Sequence, residues 1–288
     1  MKRRRWMTNL SVLYLAVLTL CAAGAPLLTG YHPVDVQLDA ILLPPQPSHL
    51  LGTDEMGRDV LTRFLYGGRV SLAVGCASAF VSLLAGVAYG MISGYCGGWI
   101  DRILMRAADA LLSIPSLLFM IGLQALLKPS LLTVVLVIGL TGWMPLAKLI
   151  RTEILALKEE AFIQASAVMG ATPIQMFTRH FAPHCLPTIL VMTTTGMGHA
   201  ILSESTLSFL GLGIPPHEPS WGNMLAGAQN HLLSGAWWAA VCPGLGIALT
   251  VLAVTFLGDD GQQRWGSPQF YRRDRRWRNP QFYRRNQR

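Results

Sequence analysis

The stretch EAFIQASAVMGATPIQMFTRHFAP, residues 160–183, is a polar interruption in a chain otherwise dominated by long uncharged runs. Its first half has the pattern of a short helix, since Phe162, Ala165 and Met169 fall on one face. Gly170 is placed to end that helix as a C-terminal cap, because glycine adopts the left-handed conformation at little cost. The stretch therefore begins with a short helix that ends at a turn.

The second half of the stretch has the pattern of another short helix. Thr172 is placed to cap it, and Pro173 falls at its first position, where proline is well tolerated. An apolar stripe follows at helical spacing, formed by Ile174, Phe177 and Phe181. Pro183 is expected to close this helix. Two such helices bury little against their own chain, so the hairpin either lies on a membrane surface or docks a cytosolic partner.

The rest of the chain has the composition of a membrane protein. Charged residues make up 13% of its 288 residues, against roughly 25% in soluble domains, and the mean hydropathy is +0.41. Uncharged runs of about 20 residues or more suffice to cross ~30 Å of hydrocarbon. These runs predict an all-α polytopic protein with six transmembrane helices, at residues 9–29, 70–94, 104–127, 130–149, 187–210 and 236–257.

The basic residues predict the orientation of these helices, because cytoplasmic loops carry an excess of lysine and arginine. Residues 1–8 are basic and place the N-terminus in the cytoplasm. Six crossings then place the C-terminus there as well, with nine arginines between Arg264 and Arg288. The hairpin loop, residues 158–184, falls on the same side. The net charge of +8 thus records topology, and no nucleic-acid partner is expected.

Two segments are predicted on the external side. Residues 30–69 form the first, in which Thr53 or Asp54 is placed to cap a short amphipathic helix that leads into the second span. The second segment, residues 208–232, carries a short amphipathic helix after Ser220 and is expected to form a lid over the external mouth.

The remaining divisions follow from composition. Residues 70–258 form the transmembrane core, and residues 259–288 form a basic tail, expected to be disordered, in which PQFYRR occurs twice. The apolar run at residues 10–28 is longer than that of a signal peptide, so the first helix is expected to stay uncleaved. Five scattered cysteines without a CxxC pair predict no metal site. Close helix packing is predicted at glycines spaced four apart, Gly86, Gly90 and Gly94.

Few ionisable groups lie within the predicted spans, and such groups are functional candidates because burying them in lipid is costly. Asp109 lies near Arg102 and Arg106 in sequence, which fits either an interfacial ion pair or a functional group. Glu204 follows His199 by five residues in the fifth span. We expect these two residues to line a pathway or to pack between helices rather than to bind a metal.

Three further stretches, taken with the hairpin, resemble one protein family. LGTDEMGRDVLTRFLYGGRVSL (residues 51–72) and LSFLGLGIPPHEPSWGNML (residues 207–225) look like hallmark segments of the C-type permease of dipeptide, oligopeptide and nickel ABC importers. PGLGIALTVLAVTFLGD (residues 243–259) is similar to the last helix of that family. The hairpin resembles its cytoplasmic EAA loop, in which Gly170 matches the glycine and Pro183 the proline. Departures from the loop pattern are Gln164, Ser166 and Ala182.

This resemblance implies the type I ABC importer permease fold in a bacterial inner (cytoplasmic) membrane. It implies a B-type permease that shares the pathway, two cytosolic ATPases that bind Mg-ATP, and an extracytoplasmic solute-binding protein. The sequence contains no G-x-x-x-x-G-K-[ST] phosphate loop. ATP hydrolysis is therefore expected on other chains, and this chain is expected to be no enzyme and to bind no cofactor.

The resemblance also implies roles for particular residues. Contact with the ATPases is implied for Gln164, Ala165, Ser166, Gly170, Thr172, Pro173, Phe177 and Pro183. A position facing the binding protein is implied for Asp54, Arg58, Asp59 and Trp221.

Peptides are the expected cargo, with nickel, a metal chelate or glutathione as alternatives within the family. A proton-coupled secondary transporter that uses Asp109 and Glu204 is the alternative from another class, and it would work without ATP. A membrane scaffold whose basic tail recruits a partner is a third hypothesis.

Overall fold

The computed structural model describes residues 2–232 and 234–265. Over this part of the chain the structure is helical, apart from loops and two isolated β-bridges. The first half contains α1 (Lys2–Ala23), α2 (Ala25–Leu28), a 3-10 turn (Leu38–Ala40), α3 (Val60–Cys96), α4 (Gly98–Leu112), α5 (Ser116–Ala125) and α6 (Leu131–Gly142). The second half contains α7 (Met144–Lys158), α8 (Ala161–Val168), α9 (Pro173–Gln175), a π-helical turn (Met176–Phe181), α10 (Ala182–Phe209), α11 (Trp221–Ala228), a 3-10 turn (Gln229–His231) and α12 (Trp238–Trp265).

Five helical stretches are long and apolar enough to cross a membrane, and they lie where five of the six spans were predicted. They are Trp6–Ala23, Val60–Cys96, Leu131–Lys158, Pro173–Phe209 and Trp238–Gly261. The predicted span at 104–127 is instead the pair α4 and α5, which is bent by 85°. Pro115 lies at this bend and precedes α5 directly. The bend follows because a proline disfavours helical conformation in the residue before it.

The helix α3 is longer than predicted. The predicted amphipathic helix and the second span form one continuous helix of 37 residues, about 55 Å long. The expectation that Thr53 or Asp54 caps it is wrong, because Asp59 accepts a hydrogen bond from the Thr62 N–H at 2.8 Å. The predicted boundary between external segment and core, at residues 69 and 70, therefore falls inside α3.

The last span also extends further than predicted. The basic tail was expected to begin at residue 259 without regular structure, whereas α12 continues to Trp265. Both copies of the PQFYRR repeat lie outside the described residues.

The glycines at a spacing of four bring α3 into backbone contact with α7. A Cβ atom added to Gly86 would lie 2.8 Å from the Trp143 carbonyl oxygen, and one added to Gly90 would lie 2.5 Å from that of Ala147. At Gly94 the added atom would lie 3.0 Å from Ile154 Cβ. The predicted close packing is confirmed, and its partner is α7.

Three buried apolar clusters lie around this contact. One joins α1, α3, α11 and α12 and includes Leu18, Trp221 and Ile247. A second joins α3, α5, α6 and α10 around Val74, and a third joins α7, α8 and α10 around Ile150. The third cluster reaches the hairpin, so the hairpin is packed on the core and is not a detached loop.

Replacing Gly90 with alanine should destabilise the fold. The added methyl group would meet a backbone oxygen that cannot move alone, and overpacking of this kind costs about 1–3 kcal/mol. The midpoint of thermal unfolding in detergent is then expected to fall by about 2–6 °C. Gly122→Ala is the matched control, because Gly122 is also helical and has nothing within 4 Å of an added Cβ. Equal midpoints for the two variants would contradict the packing argument.

Candidate functional site

The hairpin between α7 and α10 has the predicted caps. α8 is followed by Gly170, whose φ of +83° is left-handed. Thr172 Oγ1 then accepts from the Gln175 N–H at 3.3 Å, and Gln175 Oε1 accepts from the Thr172 N–H at 3.0 Å. This reciprocal pair is a capping box, and Pro173 occupies the first helical position. The sequence predictions for the turn and for the second N-terminus are confirmed.

The prediction that Pro183 closes the second helix is wrong. The chain passes from α9 through the π-helical turn directly into α10, so residues 173–209 form one helical stretch. In the widened turn the Ala182 N–H bonds to the Phe177 carbonyl, five residues back. Pro183 then lies in the first turn of α10, where its missing N–H is tolerated. The hairpin is therefore continuous with a membrane span.

The buried side of the hairpin differs from the predicted one. Ile163 is buried against Phe181 and the α7 side chains, whereas the predicted face of Phe162, Ala165 and Met169 is exposed. Phe162 instead stacks on His184, with ring centroids 5.4 Å apart. The buried face of α8 is the one that packs on the third cluster, so it depends on contacts outside the hairpin.

The second stripe is divided between core and surface. Phe181 is fully buried, Phe177 is half-buried, and both rings lie against Tyr95 of α3 at 6.2 and 5.0 Å. Ile174 points away from the core. The hairpin is thus held to α3 by an aromatic contact and leaves one side uncovered.

The uncovered side is an apolar surface at the tip of the hairpin. Val168, Met169 and Ile174 are 89%, 80% and 74% exposed, and we call these three residues the apolar tip. Of the eight residues that the resemblance assigns to ATPase contact, Ser166 and Phe177 are partly buried and the other six are exposed: Gln164, Ala165, Gly170, Thr172, Pro173 and Pro183. Exposed apolar surface of this kind is typical of interaction sites, and contact of these residues with an ATPase stays a prediction.

A partly buried ion pair lies beside the hairpin and was missed by the sequence analysis. Arg151 of α7 donates to both Asp101 carboxylate oxygens at 2.5 Å, and Ser93 of α3 donates to the same carboxylate at 2.5 Å. Asp101 is buried in α4. It therefore joins three helices at one end of the bundle. No short-range spacing reveals the pair, because its partners are 50 residues apart; the only signal is that Asp101 ends a long uncharged run.

Asp109 forms an ion pair with Lys148 of α7. The sequence analysis considered Arg102 and Arg106 as neighbours, and an ion pair was one of its two interpretations. Both partners of the observed pair are about half exposed. The structure therefore favours the ion-pair interpretation of Asp109, and its role as a pathway residue stays a prediction.

Glu204 and His199 are not brought together. Glu204 is fully buried, with its carboxylate accepting hydrogen bonds from Ser208 and Ser71, while His199 is exposed. Among the described residues no group of three His, Cys, Asp or Glu side chains is arranged to hold a metal ion. In this conformation Glu204 packs between helices, which was one of its two predicted roles.

The segment between α2 and α3, residues 29–59, folds around buried charges. Asp54 accepts from Arg58 Nε at 2.7 Å, and Arg63 Nε lies 3.4 Å from the same carboxylate. Asp59 pairs with His49 at 3.0 Å while it caps α3. Each charge therefore has a partner inside the segment, as buried charges require.

Trp221, the first residue of α11, is also buried. Its ring stacks on Phe64 of α3 at 5.6 Å, and its Nε1–H donates to the Phe64 carbonyl at 3.0 Å. With Asp54, Arg58 and Asp59, it completes the set assigned to a binding protein, and all four side chains are buried. Contact of these residues with a binding protein stays a prediction, while the structure gives them an internal role.

Comparisons with known proteins agree with this geometry. Residues 86–263 match the family described as "Binding-protein-dependent transport system inner membrane component". The chain is 40% identical over 245 residues to the dipeptide transport system permease protein DppC of Bacillus subtilis (strain 168), a match that covers 85% of this chain and 77% of that protein. It is 35% identical over 254 residues to the di/tripeptide transport system permease protein DppC of Pseudomonas aeruginosa (strain UCBPP-PA14), covering 86% and 84%.

A solved structure shares the fold. The match is to an inward-facing conformation of the MetNI methionine ABC transporter, with a TM-score of 0.57 and 18% identity, and it covers 72% of this chain and 96% of that chain. The family match over more than half of the sequence, the two permease relatives and the bundle with its packed hairpin lead to one conclusion. The chain belongs to the family of inner-membrane components of binding-protein-dependent transport systems, and it is the multi-pass permease subunit of an ABC importer.

Proposed function

We propose that this permease forms half of a membrane pathway for dipeptides and oligopeptides, which an extracytoplasmic binding protein delivers. One observation supports this choice of cargo. Relatives at 35–40% identity, matched over most of their length, are named for dipeptide and di/tripeptide transport. Those names do not favour the nickel alternative. The other half of the pathway is a B-type permease in this proposal, and both chain termini lie in the cytoplasm.

We propose further that the apolar tip docks into a groove on a cytosolic ATPase. The three side chains of the apolar tip are exposed, and contact between apolar surface and water is unfavourable. Covering one such side chain stabilises a complex by about 1.5–3 kcal/mol. The tip also has a mechanical connection, because Ile174 lies at the start of the helical stretch 173–209. Movement of a docked ATPase would therefore reach the membrane along one helix. Mg-ATP binds to the two ATPases in this scheme and not to this chain.

A proton-coupled secondary transporter does not fit these observations. Asp109 is paired with Lys148, and Glu204 is enclosed by hydroxyl groups. Membership of an ABC importer family supports ATP hydrolysis on partner chains as the energy source. A membrane scaffold whose basic tail recruits a partner is likewise not favoured by relatives that are named as transport permeases.

Peptide import can be tested in a strain that lacks its own peptide importers. Expression of this permease with its neighbouring subunits should restore growth of an amino-acid auxotroph on a dipeptide that contains the required amino acid. An ATPase subunit with its catalytic glutamate replaced is the control and should abolish growth. Uptake of radioactive nickel without peptide uptake would contradict the proposed cargo, and growth that survives the inactive ATPase would contradict ATP-driven transport.

Met169→Glu should weaken the attachment of the ATPase. It places a charge at the centre of the apolar tip, where burial of an unpaired carboxylate is unfavourable. We expect the amount of ATPase that copurifies with the permease to fall at least about tenfold, since losing one well-buried apolar contact exceeds 1.4 kcal/mol.

Thr152→Glu is the matched control for this charge. Thr152 is exposed on α7, outside the hairpin, and its hydroxyl bonds only within its own helix. Copurification should stay unchanged in this variant, and the unfolding midpoint should stay unchanged in both. Normal copurification and transport with Met169→Glu would remove the apolar tip from the docking surface.

A further inference from the structure

Glu204 lies where three helices meet, and its contacts are unlike those of the other carboxylates. It is 0% exposed, near the end of α10, against α3 and the first turn of α11. Its Oε1 accepts from Ser208 Oγ at 2.8 Å and its Oε2 from Ser71 Oγ at 3.3 Å. In the part of the chain that the structure describes, no lysine, arginine or histidine pairs with it. Hydroxyl groups alone therefore compensate a buried carboxylate.

The direction of these hydrogen bonds is determined by a second set of donors. Ser71 Oγ accepts from the Trp221 backbone N–H at 3.2 Å, and Ser208 Oγ accepts from the Ile214 backbone N–H at 3.3 Å. Because each hydroxyl accepts from a backbone donor, its own hydrogen is free to point to the carboxylate. Two relays of N–H, hydroxyl and carboxylate thus link Glu204 to Ile214, within the loop between α10 and α11, and to Trp221, at the start of α11.

Close backbone contact surrounds these relays. A Cβ atom added to Gly222 would lie 2.7 Å from Ser205 Cα and 3.2 Å from Glu204 Oε1. One added to Gly67 of α3 would lie 3.2 Å from the Ser220 carbonyl carbon. The first turn of α11 therefore lies directly on the backbones of α3 and α10.

We propose that Glu204 is a positioning residue that keeps α3, α10 and α11 together as one rigid body throughout the transport cycle. α11 is then a fixed part of the wall, so the lid that the sequence predicted over the external mouth does not open by movement of α11 away from α3. Ser71 Oγ joins α11 to this body, because it donates to Glu204 and accepts from the Trp221 backbone N–H. Lifting α11 away would break this relay and leave a buried N–H without a partner, which is unfavourable. Since α10 is continuous with the hairpin, the same body extends from the apolar tip to Trp221.

A disulfide across the α3–α11 contact tests this proposal. The five native cysteines are first replaced, and Gly67→Cys is combined with Ser220→Cys. A Cβ at position 67 would lie 3.3 Å from Ser220 Cα, which is within reach of a disulfide. Peptide uptake by the oxidised protein should match that of the same protein after reduction, within about twofold. Loss of uptake on oxidation and recovery on reduction would show that α11 must separate from α3, and would overturn the proposal.

This readout rests on the proposed peptide transport, and the unmodified protein separates the two failures. If the unmodified chain imports no peptide, the proposed function fails. If it imports peptide and the cross-linked chain does not, only the rigid-body proposal fails.

A second measurement does not depend on formation of the disulfide or on the cargo. Ala228, on the far turn of α11, is buried, and Ala228→Cys in the cysteine-free chain reports whether α11 stays seated. With Glu204 present the thiol should be protected from maleimide. With Glu204→Ala it should react at least about tenfold faster, because Ser71 then loses the carboxylate that orients its hydroxyl as the acceptor for the Trp221 N–H of α11. Equal labelling rates would overturn the proposal.

Measurements of ATP hydrolysis distinguish a positioning role of Glu204 from a general role in folding. In the assembled transporter, Glu204→Ala should lose stimulation of ATP hydrolysis by the loaded binding protein and keep the unstimulated rate within about twofold. Thr206→Ala is the matched control, because its hydroxyl also lies on α10 but bonds only to the Leu202 carbonyl. It should leave both rates and the labelling unchanged. A parallel fall of stimulated and unstimulated hydrolysis in Glu204→Ala would assign the residue to folding alone.

Discussion

The contact on which most of the structure depends is the backbone packing of α3 on α7. Hydrocarbon provides no hydrophobic force between helices, so close approach of small residues carries much of their association. Gly90 is the tightest of these contacts and brings the two helices together along their length. Asp101 and Arg151 then close the end of this pair nearest the hairpin. The hairpin is therefore supported by two helices that are packed closely against each other.

The hairpin and the α11 region lie at opposite ends of one helical stretch, residues 173–209. The π-helical turn at 176–181 is what makes this continuity possible, since it accommodates Pro183 without ending the helix. A proline that ended the helix would have left the hairpin as a hinged loop. In the observed arrangement, force applied at the apolar tip has a direct route along the helix axis. The rigid-body role proposed for Glu204 extends that route to α3 and α11.

Much of the fold could be predicted from the sequence where a local rule applies. Span positions follow from uncharged runs, and the turn at Gly170 and the cap at Thr172 follow from residue types at fixed offsets. Predictions that needed tertiary information failed: the buried face of α8 is decided by the core beside Ile163, and the continuation past Pro183 by a change of hydrogen-bond pattern.

The candidate site also contains some features that the sequence predicted and others that it did not. The exposed apolar tip lies within a segment that the sequence singled out, whereas the pair of Asp101 with Arg151 joins residues 50 positions apart. The two relays to Glu204 are equally long-range, since Ser71 is 133 residues from it. No periodicity or motif within one helix contains such information. The sequence identifies Glu204 as unusual, because burying a carboxylate within an apolar span is unfavourable. It does not identify the side chains that surround Glu204.

The choice of hydroxyl donors for Glu204 has a physical reason. A cation beside it would add a second desolvated charge, and the attraction between two buried charges often does no more than offset their desolvation. Ser71 and Ser208 are neutral, and each passes on the polarity of a backbone N–H that also needs a partner in this buried place. The carboxylate accepts from two hydroxyls, and each hydroxyl accepts from one backbone N–H. The relay through Ser71 ends at the Trp221 N–H of α11, so it breaks if α11 moves, which is why it suits a contact that stays closed.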